Sequence, residues 1–289
     1  MLSSTSEIVV QGPTQSLVIA NHRPITFMVG LNVLEDEVIV QSCLDEITKV
    51  FKKHHAQIIF KASFDKANRS SHQSSRGPGL EEGLARLKSI RNKYHYPILT
   101  DIHTEAQASK VATVADIIQI PAFLCRQTDL IQAAAETHKP LHIKKMQMLA
   151  PHEMKAVIEK CSAFGNEQVI ICERGTSFGY GQLMLDPLAL AEMKTFKVPL
   201  SLDVSHALQF PGQGDAQRIC AGGRSTYTLP LAYAGISQGI SAIFLECHPQ
   251  PELAWCDGAC ALPLSSLDYV VEQIIKLDCF IKANPPKCI

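Results

Sequence analysis

Eight short apolar runs recur along the chain, each bounded by polar or turn residues: Ile25–Gly30, Ile58–Phe64, Pro97–Ile102, Ile117–Ile120, Leu141–Met146, Val169–Arg174, Pro199–His206 and Ile243–His248. Continuous apolar runs of this length read as strands buried on both faces. Between them the spacing becomes helical, over Leu80–Tyr94, Thr104–Val114, Asp129–Thr137, Pro151–Phe164, Asp186–Thr195 and Tyr227–Gln238. Strand followed by helix, eight times in about 250 residues, predicts an α/β fold in which a parallel sheet closes into a (β/α)8 TIM barrel. An open doubly wound sheet would place a Gly-rich phosphate turn directly after an early strand. Here Gly77-Pro78-Gly79-Leu80-Glu81-Glu82-Gly83 has the wrong spacing and follows no strand directly. Ahead of the first run, EIVV and SLVIA flank QGPTQ, which predicts a short N-terminal β-hairpin closing the bottom of the barrel. No linker or low-complexity stretch divides the chain, so residues 1–289 are expected to form a single barrel domain.

The bulk properties suit such a core. The sequence is 46% hydrophobic and 19% charged with a net charge of −1, so no basic field points to nucleic acid. The start, MLSSTSEIVVQGPTQ, lacks a basic segment followed by a long apolar run, and no stretch reaches about 18 uninterrupted apolar residues. Neither secretion nor membrane insertion is expected, and the location is expected to be cytoplasmic. Ten cysteines lie scattered from Cys43 to Cys288 without paired metal-ligand spacing, and read as reduced thiols. Cys256 and Cys260 have no second pair to complete a zinc site, and Cys288, followed only by Ile289, lies too late for prenylation.

In a barrel of this kind chemistry belongs at the C-terminal ends of the strands and in the loops that follow. Nearly every run ends in an expensive polar residue. Asn32 follows the first. Lys61 lies in the second, with Lys66, Asn68 and Arg69 after it; Asp101 and His103 end the third, and Gln119 lies in the fourth. Lys144 and Lys145 lie in the fifth, Glu173 and Arg174 end the sixth, Asp203 and His206 the seventh, Glu246 and His248 the eighth. One such residue alone usually caps a helix or forms a structural ion pair. Eight strands showing the pattern together are expected to bring these residues to one mouth, because charges in apolar strands are costly unless paired or used. Lys61, Lys66, Arg69, Lys144 and Arg174 make the set cationic, which implies an anionic ligand carrying phosphate or carboxylate. The loop from Lys61 to Ser71 concentrates two ammonium groups, a guanidinium, an amide and hydroxyls, the chemistry of a phosphate clamp or else of a solvated polar loop. His54, His55 and His152 read as surface residues.

The segments KASFDKANRSS, RGPGLEEGL, DIIQIPAFLCRQTDL, CERGTSFGY, LDVSHALQ and CDGACALPL, in that order, resemble the 3-deoxy-D-manno-octulosonate 8-phosphate synthases, over about Phe27 to Leu264. The resemblance implies a homotetrameric barrel that condenses phosphoenolpyruvate with D-arabinose 5-phosphate, in the synthesis of the lipopolysaccharide inner core. It places Lys66, Lys144 and Arg174 on the phosphate and carboxylate of phosphoenolpyruvate, with Lys61 and Gln119 beside them. Asn68, Arg69, Ser70, Asp101 and Gln209 fall to arabinose 5-phosphate, and Phe123, Arg126 and Gln127 to a subunit interface. Asn32, Lys61, His206, Glu246 and Asp257 fall to catalysis.

The resemblance also implies no cofactor and no metal. Family members divide into a metal-requiring form with Cys after the first strand and a metal-independent form with Asn there; this chain has Asn32, although His206, Glu246 and Asp257 match the remaining metal positions. Two departures stand out: Met146 replaces the usual Gly or Pro after the paired lysines, and the loop 210–223 varies. The closest alternative is a 3-deoxy-D-arabino-heptulosonate 7-phosphate synthase on the same plan, against which ANRSS and Asn32 argue. A non-catalytic barrel binding a phosphorylated metabolite would need a charged strand-end residue to be missing, and none is.

Overall fold

In the computed structural model, residues 6–69, 71–211 and 222–285 are described. The chain opens with β1 (Ile8–Gln11) and β2 (Ser16–Ile19), then runs through β3 (Thr26–Val33), α1 (Glu37–His54), β4 (Gln57–Ser63), α2 (Leu80–Tyr94), β5 (Ile98–Asp101), α3 (Glu105–Ala112), β6 (Ile117–Ile120) and α4 (Thr128–Ala135). It continues through β7 (Leu141–Lys144), α5 (Met154–Ala163), β8 (Val169–Glu173), α6 (Pro187–Lys194), β9 (Leu200–Asp203), β10 (Gln209–Phe210), β11 (Gly222–Gly223), α7 (Thr228–Ile236), β12 (Ala242–His248), β13 (Leu262–Pro263) and α8 (Leu267–Ala283).

Strands β3 to β9 pair in sequence order, and β12 pairs in parallel with both β9 and β3, which closes an eight-stranded parallel barrel. The (β/α)8 expectation holds, and so does the hairpin: β1 and β2 are antiparallel, with Ile8 opposite Ile19. The six expected helices are present, most with slightly shorter ends, and α1 and α8 add two more. The seventh apolar run ends as a strand at Asp203, not His206. Its carboxylate Oδ1 accepts the backbone N–H of Ser205 at 3.0 Å and of His206 at 2.8 Å, which turns the chain into a 3-10 turn. Glu173 ends β8 in the same way, accepting from the backbone of Arg174 and Gly175.

Alternation along each strand sorts the side chains. Residues pointing out, such as Phe27, Phe60, Ile118 and Ile143, pack under the helices; α1 covers β3 and β12 with Val40, Cys43, Leu44, Ile47 and Val50 at helical spacing. Residues pointing in at the lower end, Met28, Ile59, Leu99, Ile117 and Ile170, form a separate apolar cluster with Ile8, Val10, Leu17 and Ile19 of the hairpin. The hairpin is therefore a plug. Gly77 holds the turn before α2: its φ is +108°, and a side-chain carbon there would lie 2.6 Å from Val33 and 2.8 Å from the Phe64 carbonyl oxygen. Among the described residues no helix is long and apolar enough to cross a membrane.

Candidate active site

Phe244 forms the floor of the upper half of the barrel. It sits in the plug cluster from below, while Lys144 Nζ lies 3.5 Å and Lys61 Nζ 5.2 Å from its ring centroid. His142 stacks on the same ring at 6.0 Å and 6°, and His206 tilts over it at 5.9 Å. Two residues beyond Phe244 on β12, Glu246 faces the same way and accepts from Lys61 Nζ at 2.8 Å and Asn32 Nδ2 at 2.7 Å. A register shift between β3 and β4 at Gly30/Val33 lies beside Asn32, whose amide also donates to Asp257 Oδ2 at 3.1 Å and lies 3.4 Å from His206 Nε2. Asp257 sits at φ 49°, in the left-handed region that costs most residues energy. Opposite, Asp203 Oδ2 is shared by Lys144 Nζ at 2.6 Å and His206 Nδ1 at 2.8 Å.

Above this layer opens a cavity of about 260 Å³. Lys61, Lys66, Lys144, Arg174, Asp101, Gln119 and His206 line it, with Asn68 and Gln147 at its side and Pro121–Leu124 forming an apolar wall. The cations are not equivalent. Glu246 neutralises Lys61 and Asp203 neutralises Lys144, whereas among the described residues Lys66 and Arg174 have no carboxylate within ion-pair distance. Arg174 Nη2 donates to Gln209 at 2.9 Å, while its buried Nη1 has no partner among the described residues. Asp101 accepts from Ser63 and from His103 at 3.0 Å.

Burial pushes Lys61 down to about 8, against the pull of Glu246. Glu246 is brought down to about 2: burial opposes its charge, but His206, Lys61 and further lysines outweigh it. Burial likewise opposes charge on Asp101, Asp203 and Lys66. Lys66 and His103 hold Asp101 well below the carboxylate range, His206 and Lys144 do so for Asp203, and Asp101 and Glu246 raise Lys66.

The structure thus brings Asn32, Lys61, Lys66, Asn68, Asp101, Gln119, Lys144, Arg174, His206, Gln209, Glu246 and Asp257 to one end of the barrel. Arg69 is partly buried but does not line the cavity, and Ser70 lies outside the described residues, as does most of the loop 210–223. Three strand-end residues depart from the expected convergence; one, His248, does not line the cavity and has its Nε2 3.3 Å from Glu35. Lys145 and Glu173 face outward, 3.5 Å from one another, beside a second cavity, because each neighbours an inward residue and successive side chains alternate. Met146 packs with the outer core, so Gln147, not Met146, reaches the cavity. Phe123, Arg126 and Gln127 are exposed, and of the three Phe123 lines the cavity. His54 is not a plain surface residue: it is partly buried, with Nε2 2.7 Å from Asp268. His142 and Phe244 were missed, although each stands two residues before a charged inward residue and so had to share its face.

Residues 7–282 match the model of the DAHP synthetase I family. The chain belongs to this family. Family relatives named 2-dehydro-3-deoxyphosphooctonate aldolase are similar along nearly their whole length. One from Azotobacter vinelandii is 50% identical over 268 residues, covering 93% of this chain and 94% of the relative. Another from Pseudomonas fluorescens is 50% identical over 267 residues, covering 92% and 94%. A third, from Ectopseudomonas mendocina, is 48% identical over 268 residues, covering 93% and 94%.

Whether this member's residues fit a resident metal ion turns on Asn32. His206, Glu246 and Asp257 lie close together, with His206 Nε2 3.7 Å from Glu246 and 3.8 Å from Asp257. The centre they surround receives the N–H of the Asn32 amide, and the neutral amide oxygen, Oδ1, is a far weaker donor to a metal than a thiolate would be. Among the described residues no group of three or more His, Cys, Asp or Glu is arranged for a metal. The donor set does not fit one.

Proposed function

We propose that the chain condenses phosphoenolpyruvate with D-arabinose 5-phosphate and water, giving 3-deoxy-D-manno-octulosonate 8-phosphate and inorganic phosphate. The observation that carries this reading is the single cavity in which Lys66 and Arg174 stand without carboxylate partners beside the neutralised Lys61 and Lys144. An anionic metabolite is held best by cations that are not already ion-paired, and Lys66 and Arg174 are two such groups in this cavity. The names of the relatives point to the same eight-carbon phosphate.

In the proposed reaction C3 of phosphoenolpyruvate attacks the aldehyde carbon, forming a carbon–carbon bond while the aldehyde oxygen takes a proton. Water then adds to C2, losing its proton, and the tetrahedral intermediate expels phosphate by cleavage of the C2–O bond. Lys66, Lys144 and Arg174 hold the phosphate and carboxylate of phosphoenolpyruvate, with Gln119 alongside. Lys61 and Asn32 position the aldehyde oxygen; a lysine near pKa 8 gives up a proton far more readily than an exposed one. His206 or Asp257 manages the water and its proton, and Asp203 at Nδ1 fixes the imidazole with Nε2 toward the reacting groups. Holding two reactants in line contributes ~7 kcal/mol or more, exceeding the ~10²–10⁴-fold of one acid–base group. Asn68, Arg69, Ser70, Asp101 and Gln209 take the sugar phosphate, completed across an interface of a cytoplasmic homotetramer that includes Phe123, Arg126 and Gln127.

The test is phosphate release on incubation with phosphoenolpyruvate and either arabinose 5-phosphate or erythrose 4-phosphate. Release with the pentose phosphate is expected. Release with the tetrose phosphate alone would assign the seven-carbon reaction, and release with neither would leave a phosphometabolite-binding barrel. Light scattering checks the tetramer.

A further inference from the structure

His142 takes no part in the reaction proposed above, yet it is a fully buried polar side chain directly beneath the cavity. Its Nδ1 lies 3.3 Å from Oε1 of Gln119 and its Nε2 2.9 Å from the hydroxyl of Ser201. An amide oxygen can only accept, so the Gln119 contact requires the hydrogen on Nδ1. Nε2 is then bare and accepts the Ser201 hydroxyl hydrogen, for which the Ile171 carbonyl at 3.2 Å is the longer competitor. The ring is held in plane by its stack on Phe244. Burial and the nearby Lys144 keep it neutral at physiological pH, bringing its pKa down to about 3, and the two hydrogen bonds select the tautomer.

We infer that His142 is a positioning residue that fixes the Gln119 amide with its oxygen downward and its NH2 group facing the cavity as a donor. The orientation matters because the two ends of an amide have opposite polarity. Turned over, Gln119 would present an oxygen lone pair to a bound phosphate or carboxylate, replacing an attraction by a repulsion. The inference rests on the reading that phosphoenolpyruvate is the anion bound beside Gln119.

The experiment titrates phosphoenolpyruvate alone into the native protein and into H142L, H142N, Q119A and the H142L/Q119A double variant, and measures KM, kcat and the thermal midpoint of each. H142L is expected to raise Kd and KM for phosphoenolpyruvate about tenfold, with kcat changed about twofold or less. H142N, whose amide N–H can still donate to the Gln119 oxygen, is expected to restore affinity to within about twofold of native. Q119A is expected to match H142L, and adding H142L to Q119A to change nothing further. Should H142L fail to fold, H142M carries the same comparison. Equal weakening by H142L with and without Gln119, or native affinity in H142L, overturns the positioning role alone. A native protein that does not bind phosphoenolpyruvate overturns the functional reading and this inference with it.

Discussion

At the lower end of the barrel Ile59, Leu99 and Ile117 point inward to meet the hairpin; two residues further along the same strands the inward positions are Lys61, Asp101 and Gln119. The step is about 6.6 Å of strand. Along these three strands the pairing continues in register, so the difference there lies in side-chain chemistry. Below, burial is favourable by itself and needs no partner beyond close packing. Above, each buried charge is costly and needs opposite charge or hydrogen bonds nearby: Asp101 and Glu246 support Lys66 from a distance, while Nη1 of Arg174 has no partner among the described residues.

The largest expected effect separates the two ends by function. Lys66→Ala should raise KM for phosphoenolpyruvate about 100-fold or more, on the order of 3 kcal/mol, while circular dichroism and the thermal midpoint stay close to native. Saturation kinetics near native would break the distinction. The reciprocal change is Ile19→Ala in the plug, which is fully buried. It should cost about 3 kcal/mol in chemical denaturation and leave KM for both substrates unchanged; a tenfold rise in KM would mean that the plug shapes the cavity.

Acid sharpens the comparison further. His142 has a folded pKa near 3, below the roughly 6.5 of an unfolded histidine, so the unfolded chain binds the extra proton between these values. Stability should therefore fall as pH drops below 6.5, by about 2 kcal/mol at pH 5 from this group, with nothing lost above pH 7. Denaturation curves of native and H142N proteins at pH 7 and pH 5 check it: the H142N curves should shift less.

At the alkaline side the lowered Lys61 is the sensitive group. If its ammonium is the working form, kcat/KM should decline about tenfold per unit above pH 8, and Lys61→Arg should move that limb upward even if its rate is lower. The smallest effect is expected from a chelator, which should change native activity by less than about twofold; Asn32→Cys should make activity respond to divalent metal, since thiolate replaces the amide N–H at the centre of His206, Glu246 and Asp257. Abolition of native activity by the chelator would show that the polar end depends on an ion.

Much of the barrel was legible because strand and helix periodicities differ, and the polar residues stand out against apolar runs. What periodicity could not supply was phase where two polar residues are adjacent. Lys144-Lys145 and Glu173-Arg174 each divide between the cavity and the outer layer, and only the register of β7 and β8 decides which member faces in. In the loop carrying Asn68 and Arg69 no repeat exists, so the direction of those side chains depends on tertiary contacts. His142 and Phe244 hid for the opposite reason, being unremarked within apolar runs although spacing from Lys144 and Glu246 fixed their side.

One aromatic ring has Lys61, Lys144, His142 and His206 set against it. That shared shelf makes four polar groups mechanically dependent on a residue that performs no chemistry. A shorter side chain in its place would lower them together, and no single compensating change nearby would lift all four back.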